Sequence, residues 1–232
     1  MLDGSEVKRE VKILWDSESM IAVEKPADIL TQAPLGVDSL ETQLRMQFAG
    51  RSDYIAMVHR LDRNVSGVVL VALRKRVAKL LSDQFAARKV QKHYLAVVSG
   101  KCEFPEEQRT WCDFIRKVPD QARGEVCEAT CLGAKRAETR MTMLGYSKDR
   151  DCSLVRLEPH TGRMHQLRIQ AAMRGHAILG DRLYRGRELP TEIAGADSER
   201  ILLHAESISF HHPQTGVIVT VKCEADEFFQ IV

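Results

Sequence analysis

Met57-Val-His-Arg-Leu-Asp-Arg-Asn-Val-Ser-Gly-Val-Val-Leu-Val-Ala-Leu73 is the stretch on which the reading of this 232-residue chain turns. Its second part, Val68 to Leu73, is apolar, rich in β-branched residues and too short for a typical helix, which predicts a buried strand. Gly67 supplies the tight backbone where the preceding turn enters that strand. The turn holds a single carboxylate, Asp62, flanked by Arg60 and Arg63. An anion among cations, mounted on rigid structure, suits a carboxylate that stays ionised while it does chemistry. On spacing alone a plainer reading stands beside it: an aspartate in a turn between strands is more often a cap or a solvated charge.

Working outward, the chain is long enough for a large core, with 44% hydrophobic and 28% charged residues, the balance of an ordinary globular protein. No apolar stretch reaches membrane-spanning length, and the polar N-terminus lacks a signal-peptide core. A cytoplasmic protein without a membrane partner is expected. Six scattered cysteines, of which Cys127 and Cys131 form the only close pair, point to free thiols rather than a zinc site. The net charge of +2 is small, but the charges are polarised. Six arginines and one acid fall between His160 and Arg187, and seven basic residues and one acid between Arg74 and Lys92. Such a distribution suits a phosphate backbone on one face; a solvated helix face would explain much of the 74–92 run.

Taken in order, residues 1–10 read as a disordered tail and 11–232 as a single domain. Strands are predicted over Val11–Trp15 and Met20–Glu24, with Pro26 ending the second. Asp38-Ser-Leu-Glu41 reads as a capping box opening a helix to about Phe48, closed by Gly50. A second, amphipathic helix is expected over Arg76–Arg88, with Val77, Leu80, Leu81 and Phe85 on its core face. Further strands are expected at 92–100, at 152–158, at 207–210 and at 217–221. Residues 101–150 carry the poorest pattern, and no chemistry is read there. Gly162 is expected to make the turn into a third helix, which ends near Arg174 before Gly175.

The motifs in these segments resemble one family. His59-Arg-Leu-Asp-Arg-Asn-Val-Ser-Gly67 is similar to the signature HRLDxxTSG of the RluA-like pseudouridine synthases, with Val65 in the usual Thr place. Glu24-Lys-Pro-Ala-Asp28 partly resembles its NKPxG motif. Lys92-His-Tyr-Leu-Ala-Val-Val-Ser-Gly100 resembles KxYLAxVxG, and Pro159 to Gln170 resembles xxTGRxHQxRxH. Gly133 to Leu144 resembles the family's stretch entering a strand, in which alternating residues face the core, Gly175 to Tyr184 follows GHPIxGDxxYG, and Leu202 to Pro213 follows LHAxxxxFxHP. The resemblance covers about residues 11–222 and implies a catalytic domain without a preceding S4 module.

That resemblance implies an α+β pseudouridine-synthase fold: a mixed, mostly antiparallel central sheet, flanking helices and an RNA-binding cleft. It implies isomerisation of uridine to pseudouridine in structured RNA, a ribosomal or transfer RNA stem-loop, with no metal or other cofactor, by a monomer. Asp62 falls on the family's nucleophile, Tyr94 on its active-site tyrosine and Arg168 on its basic residue, expected to pair with Asp62. Arg60 is placed to fill the space of a flipped-out base, and Arg163, His165 and Gln166 are expected to join it in binding RNA, the last two also supporting the active-site turn. The remaining motif histidines are expected to serve structural hydrogen bonds. Two rivals remain: a catalytically inactive RNA-binding or chaperone member of the same fold, and an RNA glycosidase or nuclease. A glycosidase calls for two cooperating carboxylates, and the signature block offers only Asp62.

Overall fold

A computed structural model describes residues 10–189 and 199–230; apart from Glu10, the expected disordered tail lies outside the described residues. In chain order the elements are β1 (Ile13–Asp16), β2 (Met20–Lys25), α1 (Leu40–Gln47), β3 (Ala56–Met57), β4 (Ser66–Ala72), α2 (Lys75–Ala86), β5 (Gln91–Ser99), β6 (Thr110–Lys117), β7 (Gly124–Cys127), β8 (Lys135–Ser147), β9 (Cys152–Pro159), α3 (Gln166–Met173), β10 (Leu203–His211) and β11 (Ile218–Lys222). One eleven-stranded sheet joins all the strands in the order β1-β2-β4-β10-β5-β9-β8-β6-β7, with β11 on β10 and β3 on β4. Of its strand pairs only β4 with β10 is parallel. This is the mixed, mostly antiparallel α+β sheet that the resemblance implies.

β4 is an interior strand held between β2 and β10, and every residue from Gly67 to Ala72 is buried. Neighbouring strands and packed side chains cover it on all sides, which is why its sequence is a continuous apolar run rather than an alternating one. Gly67 has φ +122, and a Cβ there would lie 2.4–2.7 Å from backbone atoms of Ala205 on β10. Only glycine allows the two strands to approach so closely. Val65 is 3% exposed, so the methyl in place of the usual Thr hydroxyl faces core.

Two local expectations are corrected. The capping residue of α1 is Ser39, whose hydroxyl accepts from the Thr42 amide while Thr42 Oγ1 accepts from the Ser39 amide; Asp38 adds bonds to Ser39 N, Thr42 Oγ1 and Gln43 Nε2. The box is thus Ser39–Thr42, one residue later, because the short Thr side chain serves where Glu41 was expected. The turn into α3 is made not by Gly162 but by His165, which takes the left-handed conformation at φ 50. Within residues 101–150 the strand expected over the Gly133–Leu144 stretch is β8, with Ala137, Thr139 and Met141 buried in alternation, and with β6 and β7 it forms the end of the sheet.

Candidate active site

Asp62 projects from the loop between β3 and β4, and that loop is fastened on several sides. Thr31 Oγ1 accepts from the Leu61 amide at 3.1 Å and donates to the Leu61 carbonyl at 2.9 Å. Lys25, with no exposed surface, donates to the carbonyls of Pro26, Ile29 and Arg63 at 2.7, 2.7 and 3.1 Å. Burial pulls its pKa down to about 7, against the attraction of Asp28 and Asp62. On the strand side, His59 Nε2 accepts from the Leu70 amide at 2.9 Å. Burial and the nearby Lys92 charge lower the His59 pKa to about 3, so the ring is the neutral acceptor this bond requires. Ser66 Oγ meets His204 Nδ1 at 2.9 Å, and His204 Nε2 donates to the Cys223 carbonyl at 3.0 Å. These two histidines serve structural hydrogen bonds, as the sequence suggests.

Opposite the loop, α3 is buried from Gln166 to Ala171. Arg168 Nη1 lies 3.1 Å from Asp62 Oδ2. Behind it, Arg168 Nε and Nη2 donate to the two oxygens of Asp181 at 2.7 and 2.8 Å. The Asp181 side chain is 1% exposed, that of Arg168 6% and that of Asp62 30%. A buried guanidinium is thus held in a fixed fork by one carboxylate and presents its remaining edge to the other. Burial opposes its charge, yet Asp181 and Asp62 together raise its pKa above the ordinary value. Asp62 therefore faces a permanent cation through a charge-assisted hydrogen bond.

His165 Nε2 lies 3.7 Å from the same Asp62 oxygen, and its Nδ1 is 2.9 Å from the Tyr184 hydroxyl. Burial lowers the His165 pKa despite the pull of Asp62. The Tyr184 hydroxyl also bonds the Gly124 backbone at 3.0 and 3.2 Å, and Arg168 lies over its ring. A left-handed backbone at a non-glycine residue is strained, and here the strain turns the His165 ring toward Asp62. Gln166 is buried with its amide fully used. Oε1 accepts from Thr161 Oγ1 and the Arg163 amide, and Nε2 donates to the Glu138 carbonyl and Thr139 Oγ1. It frames the turn rather than presenting its amide to a ligand, which moves it from the RNA face, where it was expected, to the supporting role also read for it.

Asp62, Arg168, His165 and Tyr94 line one cleft of about 790 Å³, together with Arg60, Arg163 and Lys92. Asp62 is the one acid among the lining residues. Tyr94 enters from β5, in register with Ala205 and Leu157. Burial and the Asp62 charge push its hydroxyl pKa upward, so it stays a neutral phenol. Arg60 is exposed at the mouth, while Arg163 Nε donates to the Arg136 carbonyl at 3.0 Å.

Sequence reasoning passed over three contributors, Asp181, Tyr184 and Lys25, although all lie in quoted motifs. For Asp181 a signal existed: it is the single acid in a run of six arginines. The support that β8 gives to α3 through Glu138 and Thr139, that β6 gives through Asp113 to Gln170 and Arg174, and that β7 gives to Tyr184 through Gly124 carried none.

Residues 19–173 match the sequence model of the family described as RNA pseudouridylate synthase. The dual-specificity RNA pseudouridine synthase RluA of Escherichia coli strain K12 is 35% identical over 217 residues, covering 92% of this chain and 93% of that protein. The tRNA pseudouridine synthase C of Pasteurella multocida strain Pm70 is 35% identical over 229 residues, with 94% and 92% covered. Among solved structures, human RNA pseudouridylate synthase domain containing 1 aligns with a TM-score of 0.72 at 28% identity, covering 98% of this chain and 87% of the other. The matched segment encloses the carboxylate of the cleft and the arginine that holds it, and the chain belongs to the RluA-like RNA pseudouridine synthases, isomerases that convert uridine in RNA to pseudouridine.

Proposed function

We propose that Asp62 is the nucleophile of this isomerisation and that the target is a uridine in a ribosomal or transfer RNA stem-loop. The observation that carries the assignment is the single carboxylate of the cleft, aimed by a buried guanidinium that Asp181 clamps from behind. In the reaction the N1–C1′ bond of uridine breaks, the base turns, and a C5–C1′ bond forms. The C5 proton leaves and N1 gains one, so atoms balance without an oxidant, a reductant or a cofactor. Asp62 attacks the sugar or the pyrimidine ring. Arg168 fixes the direction of the carboxylate by a charge-assisted hydrogen bond. Tyr94, a phenol in the same cleft, stacks on the flipped base and takes part in the proton transfer from C5.

A base within stacked RNA must leave the stack at a cost of a few kcal/mol. Arg60, exposed beside the nucleophile, is assigned to the vacated space, where its planar fork stacks and bonds base edges. Arg163 and His165 are assigned to the RNA face of the turn. The RNA glycosidase reading lacks its second carboxylate, since both oxygens of Asp181 are taken by Arg168. We further propose a single catalytic domain over 11–232, built on the one continuous sheet, acting as a monomer in the cytoplasm, a reducing compartment that suits six free cysteines. The test is tritium release. RNA labelled at uridine C5, made in cells lacking the gene, should lose tritium to water with the wild-type protein; no release from any ribosomal or transfer RNA overturns the reading.

A further inference from the structure

Lys92 lies two residues before Tyr94 on β5, so the alternation of the strand turns both side chains to one face, and both line the cleft. Of the other cations lining the cleft, Arg168 is engaged by Asp181 and Asp62 and Arg163 by the Arg136 carbonyl, while Arg60 and Arg88 are exposed to water. Lys92 makes no hydrogen bond or ion pair among the described residues. It shares the lining of the cleft with His59, Phe85 and Val90, and its strand neighbour on β10 is Ile208. Burial draws its ammonium below the ordinary lysine pKa, and its charge reaches the His59 ring. An unpaired, half-buried ammonium costs stability unless an anion joins it. The single acid lining the cleft already belongs to Arg168, so the anion must come with the substrate.

We propose that Lys92 binds a phosphate of the RNA strand inside the cleft, anchoring the nucleotide beside the reacting uridine. The inference rests on the synthase reading, which supplies RNA as the ligand. A phosphate is favoured over a base carbonyl because a compact point charge is neutralised only by a full negative charge. The contact sets the position of the strand, with the base left to Tyr94 and Asp62.

The test measures binding of a fluorescein-labelled RNA hairpin with an all-uridine loop across a range of salt, for wild type, Lys92→Met and Lys92→Arg. One lost phosphate contact lowers the slope of log affinity against log salt by about 0.7–0.9. Lys92→Met is expected to show that drop and to bind roughly tenfold more weakly at low salt, while Lys92→Arg restores the slope. A methylphosphonate scan of the same loop checks this on the wild-type protein alone: one neutral linkage should weaken wild type. An unchanged slope in Lys92→Met overturns the proposal, as does a scan in which no linkage matters. A structural role would lower the melting temperature of Lys92→Met without moving the slope. Wild-type tritium release tests the synthase reading separately: with release present and the slope unmoved, only the Lys92 contact falls.

Discussion

Asp181→Asn removes the charge behind Arg168 and keeps the shape of the side chain. In the native site both Asp181 oxygens accept from the guanidinium at 2.7 and 2.8 Å. With asparagine one of these contacts becomes a donor facing a donor. The arginine side chain is 6% exposed, so water cannot take over the lost partner. Removing one member of a buried pair costs about 3–5 kcal/mol; the remaining carbonyl and Asp62 at 3.1 Å put this case near the lower end. Urea unfolding followed by the fluorescence of Trp15 and Trp111, the latter's ring lying against Arg174 just after α3, should show a midpoint lowered by roughly 1 M. The guanidinium would also swing toward Asp62 as its only anion, and a displacement of about 1 Å at a reacting group costs on the order of 100-fold in rate. Single-turnover tritium release at saturating RNA measures that loss. A variant within about 0.3 M of the wild-type midpoint and threefold of its rate would refute the clamp.

Three further outcomes follow from the frame of the site. Gly67→Ala should fail to give soluble folded protein, because its Cβ meets Ala205 backbone rather than a movable side chain; a wild-type-like melting curve would contradict this. Lys25→Met leaves the carbonyls of Pro26, Ile29 and Arg63 without their donor and should cost about 3 kcal/mol or more in urea unfolding, with tritium release falling alongside; an unchanged midpoint would show that the loop is held without it. His59 gives a pH dependence. Its folded pKa of about 3 lies below the unfolded value of about 6.5. The stability it protects is whole above about pH 6.5 and declines, as pH falls toward 3, by about 1.4 kcal/mol per unit. His59→Gln should flatten the stability profile by that slope between pH 6 and 4, and equal slopes in both proteins would count against a neutral, buried His59.

The central strand was legible because burial on both faces writes itself as an unbroken apolar run, and no helix fits so short a segment. The motif that carries Asp62 and the one that carries Arg168 were each readable, and the fold places the two side chains 3.1 Å apart. What was not legible works at a distance. Lys25 acts on Arg63 through a buried ammonium, and nothing in Glu24-Lys-Pro distinguishes it from a solvated lysine. Gly124 grips Tyr184 through backbone atoms, which leave no signature in side chains. His165 adopts a backbone that glycine prefers, so the residue type pointed to Gly162 instead. Gln166 looked like a polar residue available for RNA until its four partners appeared.

The account depends most on Asp62, and the most direct measurement is pseudouridine mapping by carbodiimide-dependent reverse-transcription stops. Total RNA from cells lacking the gene is incubated with the wild-type protein or with Asp62→Ala. The account predicts a stop at a ribosomal or transfer RNA uridine that appears with wild type and is absent with Asp62→Ala, while both proteins bind RNA with the same salt dependence. Equal stops with both proteins would take the nucleophile away from Asp62. No stop with either, despite tight binding, would leave an RNA-binding protein without this chemistry.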